Sequence, residues 1–169
     1  DIFFGNKNQD KWVVEEVFNF KKNGYFVDLA ATDGFHENNT FFLEKRLAWK
    51  GICIEPNKNF YNTLKKTRKA KCFCKIITSK KTDVEYIING GVGGIIGDNY
   101  DNNKKKRANL INKARKKNKI ETRKSISFYE ILKQAKAPKI IDYLSLDVEG
   151  AEYEVFKNFP FRKYKFMSM

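Results

Sequence analysis

The stretch Tyr25-Phe26-Val27-Asp28-Leu29-Ala30-Ala31-Thr32-Asp33-Gly34 decides how the rest of the chain is read. Tyr25, Phe26 and Val27 are strong strand formers, and turn residues bound them at Asn23-Gly24 and Asp33-Gly34. A near-continuous apolar run of this length fits a parallel strand buried on both faces. Asp28 falls where that strand should end, and small residues lead on through Gly34 into a helix. In open α/β sheets, ligands bind beyond the carboxyl ends of strands, which makes this turn a candidate ligand edge. The plainer alternative is an ordinary strand-turn-helix with a surface aspartate.

The same grammar recurs outward from it. Trp49 to Asn57 reads as a second apolar strand closed by Glu55, with Pro56 as the stop. Asn57 caps a helix over Lys58 to Thr67, which turns Phe60, Tyr61 and Leu64 inward. Upstream, Asp10 is expected to cap a helix from Lys11 to Phe20 with Val13, Val14, Val17 and Phe18 on one side. Another helix is expected from about Glu37 to Ala48, and a third strand from Lys71 to Ile77. Alternating strands and helices predict a parallel sheet with right-handed crossovers. Val84 to Ile88 adds a side hairpin. Ser127 and Glu130 form a capping box, flanked by Ile126 and Ile131 as a hydrophobic staple, for a helix ending near Ala137-Pro138. Ile140 to Leu146 is the fourth strand and runs into Asp147-Val148-Glu149-Gly150-Ala151-Glu152. A short helix to Asn158 and a fifth strand, Tyr164 to Met169, close an α/β domain spanning 1–169, with the C-terminal strands read as truncated.

Composition narrows the classes. A chain of 169 residues, 41% apolar and 15% aromatic, can bury a core and is not disordered. No apolar run reaches the ~20 residues of a membrane span. Cys53, Cys72 and Cys74 with a lone His36 do not make a metal set, and they read as reduced thiols, which favours the cytoplasm. The net charge is +14, but lysine supplies it far more than arginine, so it marks attraction to polyanions in general. Residues 98–124 carry +8 of that charge as a basic insertion. It reads as a solvated, partly disordered insertion with a weak helix around Ala108, Leu110, Ile111 and Ala114, or as a substrate-binding arm for an acidic partner. The glycines of 89–94 lack the Gly-Lys-Ser/Thr of a phosphate loop and read as a lid or a linker.

Asp28, Glu55 and Asp147 share one structural position, the end of a strand. Acids on neighbouring strands would line one crevice. An acid after strand two, one βαβ unit beyond a small-residue turn, hydrogen-bonds ribose hydroxyls in nucleotide ligands. No dinucleotide glycine fingerprint is present, and a pyrophosphate would be repelled by so many carboxylates. A ligand with a ribose, an amine and a positive centre fits better, and S-adenosylmethionine has all three.

At these residues the chain resembles the FkbM family of S-adenosylmethionine-dependent methyltransferases. The resemblance rests on Phe26 to Gly34, Glu37-Asn38-Asn39-Thr40, Trp49 to Asn57 and Asp147 to Glu152, in that order, and is loose over 89–124. It implies a Rossmann-like methyltransferase fold, a mostly parallel sheet with helices on both faces. It also implies methyl transfer to an oxygen of a sugar, glycan or other small hydroxylated acceptor. By position, Asp28, Ala30, Ala31, Thr32, Gly34 and Asn39 would frame the methionine part of the cofactor. Glu55 would hold the ribose, Pro56 and Asn57 would shape the adenosine site, and Ile77, Thr78 and Ser79 would border the adenine. Asp147 and Glu149 would face the reacting methyl, Asp147 touching cofactor as well, and one of them or His36 would be the base. Ala30 stands where such motifs often have Gly, and Thr32 where Asn is common. Two rival readings are a nucleic-acid (RNA) methyltransferase that uses the basic insertion and a binding module without catalysis.

Overall fold

The computed structural model describes residues 3–90, 93–97, 100, 104–148 and 150–169. Strands run in chain order as β1 (Tyr25–Leu29), β2 (Lys50–Ile54), β3 (Lys71–Phe73), β4 (Ile76–Thr78), β5 (Asp83–Ile87), β6 (Gly94–Ile95), β7 (Ile120–Ser127), β8 (Ile140–Leu146) and β9 (Lys165–Ser168). The α-helices are α1 (Gln9–Trp12), α2 (Phe41–Leu47), α3 (Lys58–Thr67), α4 (Lys104–Lys116), α5 (Phe128–Ala135) and α6 (Glu152–Phe156). The chain divides into two compact units: Asp1–Cys74 with Lys133–Leu146 and Pro160–Met169, and Lys75–Leu132 with Asp147–Phe159.

The first unit is built on a five-stranded sheet in the order β3-β2-β1-β8-β9, parallel throughout. The chain steps outward from β1 to β2 and β3, then returns to the other side of β1 as β8. That reversal makes the carboxyl ends of β1 and β8 the topological switch point, where α/β sheets open a crevice. Register aligns Asp28 with Cys53 on one side and Ser145 on the other, so these side chains share a face. On that face Phe26, Cys53 and Tyr143 join Val13, Val14, Phe42, Leu43, Leu47, Trp49 and Leu64 in one apolar cluster. The opposite face carries Val27, Leu29, Ile52, Ile54 and Leu144, all buried. Each such side chain contributes roughly 1.5–3 kcal/mol. Doubly buried strands explain why β1 and β2 read as unbroken apolar runs rather than alternating ones.

Tyr143 lies in this cluster. Burial, with the negative Asp28 nearby, pushes its phenol up to about 12. The folded state therefore holds the proton more tightly than the unfolded chain, whose tyrosines titrate near 10. Stability from this group is full below pH ~10 and falls as pH rises to ~12, on the order of 2 kcal/mol in all. Denaturant unfolding across that window should show the decline, and Tyr143→Phe should flatten it. An unchanged slope would remove the assignment.

Several boundaries differ from the sequence reading, each for a local reason. Asp10 is inside α1 and fully buried, where its carboxylate accepts the backbone N–H of Phe4 (2.6 Å) and Lys11 (2.9 Å). The expected helix to Phe20 stops early in a π-helical turn, Val13–Val17, crowded by three β-branched valines. The second helix starts at Phe41, not Glu37, because Glu37 has φ +50° and side chains hold the preceding backbone. The third strand ends at Phe73. Its last ladder bond runs from Glu55 N–H to the Phe73 carbonyl, and Pro56 has no N–H to extend it. Ile76–Thr78 pairs elsewhere, with β7. The N-terminal segment folds back. Phe3 stacks on Phe42 with centroids 4.6 Å apart, and Phe4 packs edge-on against Phe41 at 4.9 Å.

The second unit holds a four-stranded sheet, β4-β7-β5-β6, with β4 and β7 parallel and the remaining pairs antiparallel. Ile76, Val84, Tyr86 and Ile95 form its core. The capping box at the start of α5 is in place: Glu130 N–H donates to Ser127 Oγ at 3.2 Å, and Ser127 Oγ donates to Glu130 at 3.0 Å. Much of the basic insertion is ordered. The helix anticipated around Ala108–Ala114 is α4, and Ile120 to Lys124, expected to belong to a partly disordered insertion, instead form part of β7, held by pairing with β5. Among the described residues no helix is long and apolar enough to cross a membrane.

Candidate functional site

The first turn is made by backbone strain that a buried carboxylate restrains. Ala30, Thr32 and Gly34 all lie at positive φ: +65°, +49° and +80°. For a residue with a Cβ this costs roughly 1–2 kcal/mol. Two anchors hold it. Ala30 and Ala31 both donate to the Ile54 carbonyl, at 2.9 and 3.2 Å. Glu55, 4% exposed, then accepts Thr32 N–H at 2.9 Å through Oε2 and Asn57 N–H at 2.7 Å through Oε1. Asn57 in turn caps α3, its Oδ1 accepting Asn59 N–H at 3.0 Å. Glu55 thus ties the turn after β1 to the helix after β2. Pro56 lies between them, half-buried.

Gly34 is required twice over. Its φ suits glycine, and an added Cβ would sit 2.5 Å from Leu64 Cδ1 and 2.8 Å from Arg68 Cγ. Gly34→Ala should destabilise the protein by roughly 1–3 kcal/mol, read as a lower unfolding midpoint in urea. A midpoint equal to wild type would show that the turn yields without cost.

Behind the turn lies a buried polar hub. Asp28, 3% exposed, accepts Thr40 Oγ1 at 2.6 Å and Asn38 Nδ2 at 3.0 Å. Arg68, its side chain fully buried, donates to Asn38 Oδ1 (3.0 Å), Thr40 Oγ1 (2.9 Å), the Gly34 carbonyl (3.3 Å) and Glu44 Oε2 (3.3 Å). Its guanidinium also lies over the Phe26 ring, 5.2 Å from the centroid. Sequence reasoning named Asp28 but missed Asn38, Thr40 and Arg68 as the groups it works through. One signal was there: Arg68 is an arginine in a chain that otherwise uses lysine almost everywhere.

Asn39 sits at the switch point. Its Nδ2 donates to Gln9 Oε1 at 2.8 Å and to Ser145 Oγ at 3.3 Å. Its Oδ1 is buried without a partner among the described residues. An orphaned acceptor of this kind invites a donor. His36 is exposed, and its Nδ1 meets Asp33 Oδ2 at 2.6 Å. Partial burial opposes charge on Asp33. The His36 ring and the N–H groups of Phe35 and His36 outweigh that, so the carboxyl stays below its ordinary range.

The remaining sequence-predicted residues lie in the second unit. Thr78 Oγ1 donates to Ser125 Oγ at 2.8 Å, and Ser79 Oγ donates to the buried Glu154 at 3.1 Å. Ile77 is buried in β4. Asp147 directly follows β8 and is exposed, while Glu149 lies outside the described residues. The structure thus gathers Asp28, Ala30, Ala31, Thr32, Gly34, Asn39, Glu55, Pro56 and Asn57 within one unit.

Comparison with known families adds one finding. A model of the methyltransferase FkbM domain matches residues 28–167, from Asp28 in β1 to Met167 in β9. No curated protein and no solved structure matches the chain. The match covers most of the sequence and contains the strand-end acids, the strained turn and the Glu55 clamp, so this chain belongs to the FkbM methyltransferase family.

Proposed function

We propose that the protein transfers a methyl group from S-adenosylmethionine to a hydroxyl of a sugar, a glycan or another small hydroxylated acceptor. The observation that carries this reading is Glu55, a buried carboxylate bonded to the turn after β1. An acid at the end of a second strand, beside a small-residue turn, is suited to ribose hydroxyls. The residues fit the cofactor in a second respect. Among the described residues Asn39 Oδ1 has no donor, and the cofactor's amino group is a donor. When bound, the cofactor supplies a methyl on a positively charged sulfur.

The chain's own residues do the rest. Asp28 acts through Thr40 and Asn38 to fix the turn, and Ala30, Ala31, Thr32 and Gly34 present backbone to the methionine part. Glu55 orients the ribose, with Pro56 and Asn57 beside it, and Thr78 and Ser79 border the adenine. Asp147 and Glu149 receive the acceptor hydroxyl, and one of them takes its proton. His36 is the alternative base, its ring held by Asp33. A positioned base is worth roughly 10²–10⁴-fold, because an alcohol is a poor nucleophile until its proton leaves.

Titration calorimetry with S-adenosylmethionine and S-adenosylhomocysteine tests the cofactor assignment. Heat with both is the expected result. No heat with either would leave a binding module without catalysis as the better account.

A further inference from the structure

The +14 charge is not evenly spread. Residues 102–120 hold nine Lys/Arg and no Asp or Glu, so this short segment carries +9 and the rest of the chain only +5. A general lysine bias would not concentrate charge in this way, nor remove every acid from one segment. In the second unit, α4 arranges the sequence by face. Leu110, Ile111 and Ala114 fall on one side, with Ala114 buried and the other two half-buried. Asn109, Asn112, Lys113 and Lys116 fall on the other at i, i+3, i+4 and i+7, all exposed. Arg115, Lys117 and Lys119 are exposed as well. Among the described residues, no carboxylate pairs with any of these five cations.

We propose that this Asn/Lys face of α4 is a docking surface for an acidic glycan. Ammonium groups on lysine are point charges that attract carboxylate or sulfate without demanding planar geometry. The interleaved Asn109 and Asn112 amides each offer donor and acceptor to sugar hydroxyls. The polar face from Asn109 to Lys116 is about 10 Å long, so neighbouring units of one acidic chain engage several groups at once. A nucleic acid is the weaker fit. Stacking on single-stranded bases uses aromatic side chains, and α4 has none. The proposal deepens the acceptor class given above and rests on that reading for the reaction, though the binding itself does not need it.

Fluorescence anisotropy of the intact protein tests it with labelled oligogalacturonate, a neutral dextran of equal length and a single-stranded RNA oligonucleotide. Measurements at about 50 and about 200 mM salt separate charge from the rest. Oligogalacturonate should bind and weaken with salt, dextran should not bind, and RNA should bind less tightly. Lys113→Gln with Lys116→Gln should lose about tenfold in affinity through the two charges. Asn109→Ala with Asn112→Ala should weaken the glycan about threefold and leave RNA unchanged, because the amides serve hydroxyls. These positions are exposed, so the fold is retained, and circular dichroism checks it. No oligogalacturonate binding at low salt, binding unchanged by the lysine pair, or RNA held more tightly at both salts would each overturn the proposal. S-adenosylmethionine calorimetry on the same variants isolates its failure from failure of the methyltransferase reading.

Discussion

Glu55→Ala should weaken S-adenosylmethionine by roughly one to two orders of magnitude in dissociation constant, measured by calorimetry. A hydrogen bond to a charged acceptor is worth roughly 1.5–3 kcal/mol, and each 1.4 kcal/mol is about tenfold. The truncation acts twice. It removes the proposed ribose acceptor, and it frees the N–H groups of Thr32 and Asn57 that the carboxylate now holds. The turn then loses the restraint that keeps Ala30 and Thr32 at positive φ. Glu55→Gln separates the two roles. Its amide oxygen keeps one backbone bond and part of the turn, so its loss should be the smaller. A dissociation constant unchanged in Glu55→Ala would refute the ribose assignment.

Arg68→Met should produce the largest loss of stability, about 3–5 kcal/mol, because removing one partner of a buried pair strands the others. For a chain of this size that is a fall of about 6–20 °C in unfolding midpoint. Glu44 would lose its buried counter-ion, and Asn38, Thr40 and the Gly34 carbonyl would each lose a donor. Arg68→Lys should recover only part of the loss, since an ammonium cannot present the planar fork to these acceptors. A drop below about 3 °C for Arg68→Met would show that the hub is dispensable.

The legible parts of the chain were those with one strong local signal. Strands β1, β2 and β8 announced themselves as apolar runs, and α3 by Asn57 before an amphipathic stretch. Glu55 was legible as the acid closing the second strand, because it stands between an apolar run and Pro56. The break at Phe73 was not, because it depends on Pro56, just past the end of the neighbouring β2, and that pairing appears only once the sheet has formed. Strand β7 hides behind Glu121, Thr122, Arg123 and Lys124, polar residues that earn strand geometry from pairing with β5 rather than from propensity. The Asp28 hub was half visible. Asp28, Asn38 and Thr40 stood inside recognisable motifs, but the three-way link through Arg68 spans some thirty residues of sequence and has no local mark.

Asn39 is shared property. Its amide nitrogen is occupied by Gln9, on the segment whose Phe3 and Phe4 rings clamp onto Phe42, Phe35 and Phe41. Any visitor that draws the Asn39 amide toward itself must therefore bargain with the opening residues of the chain. Occupancy at the switch point and order of that leading segment become a single linked equilibrium, and each reports on the other.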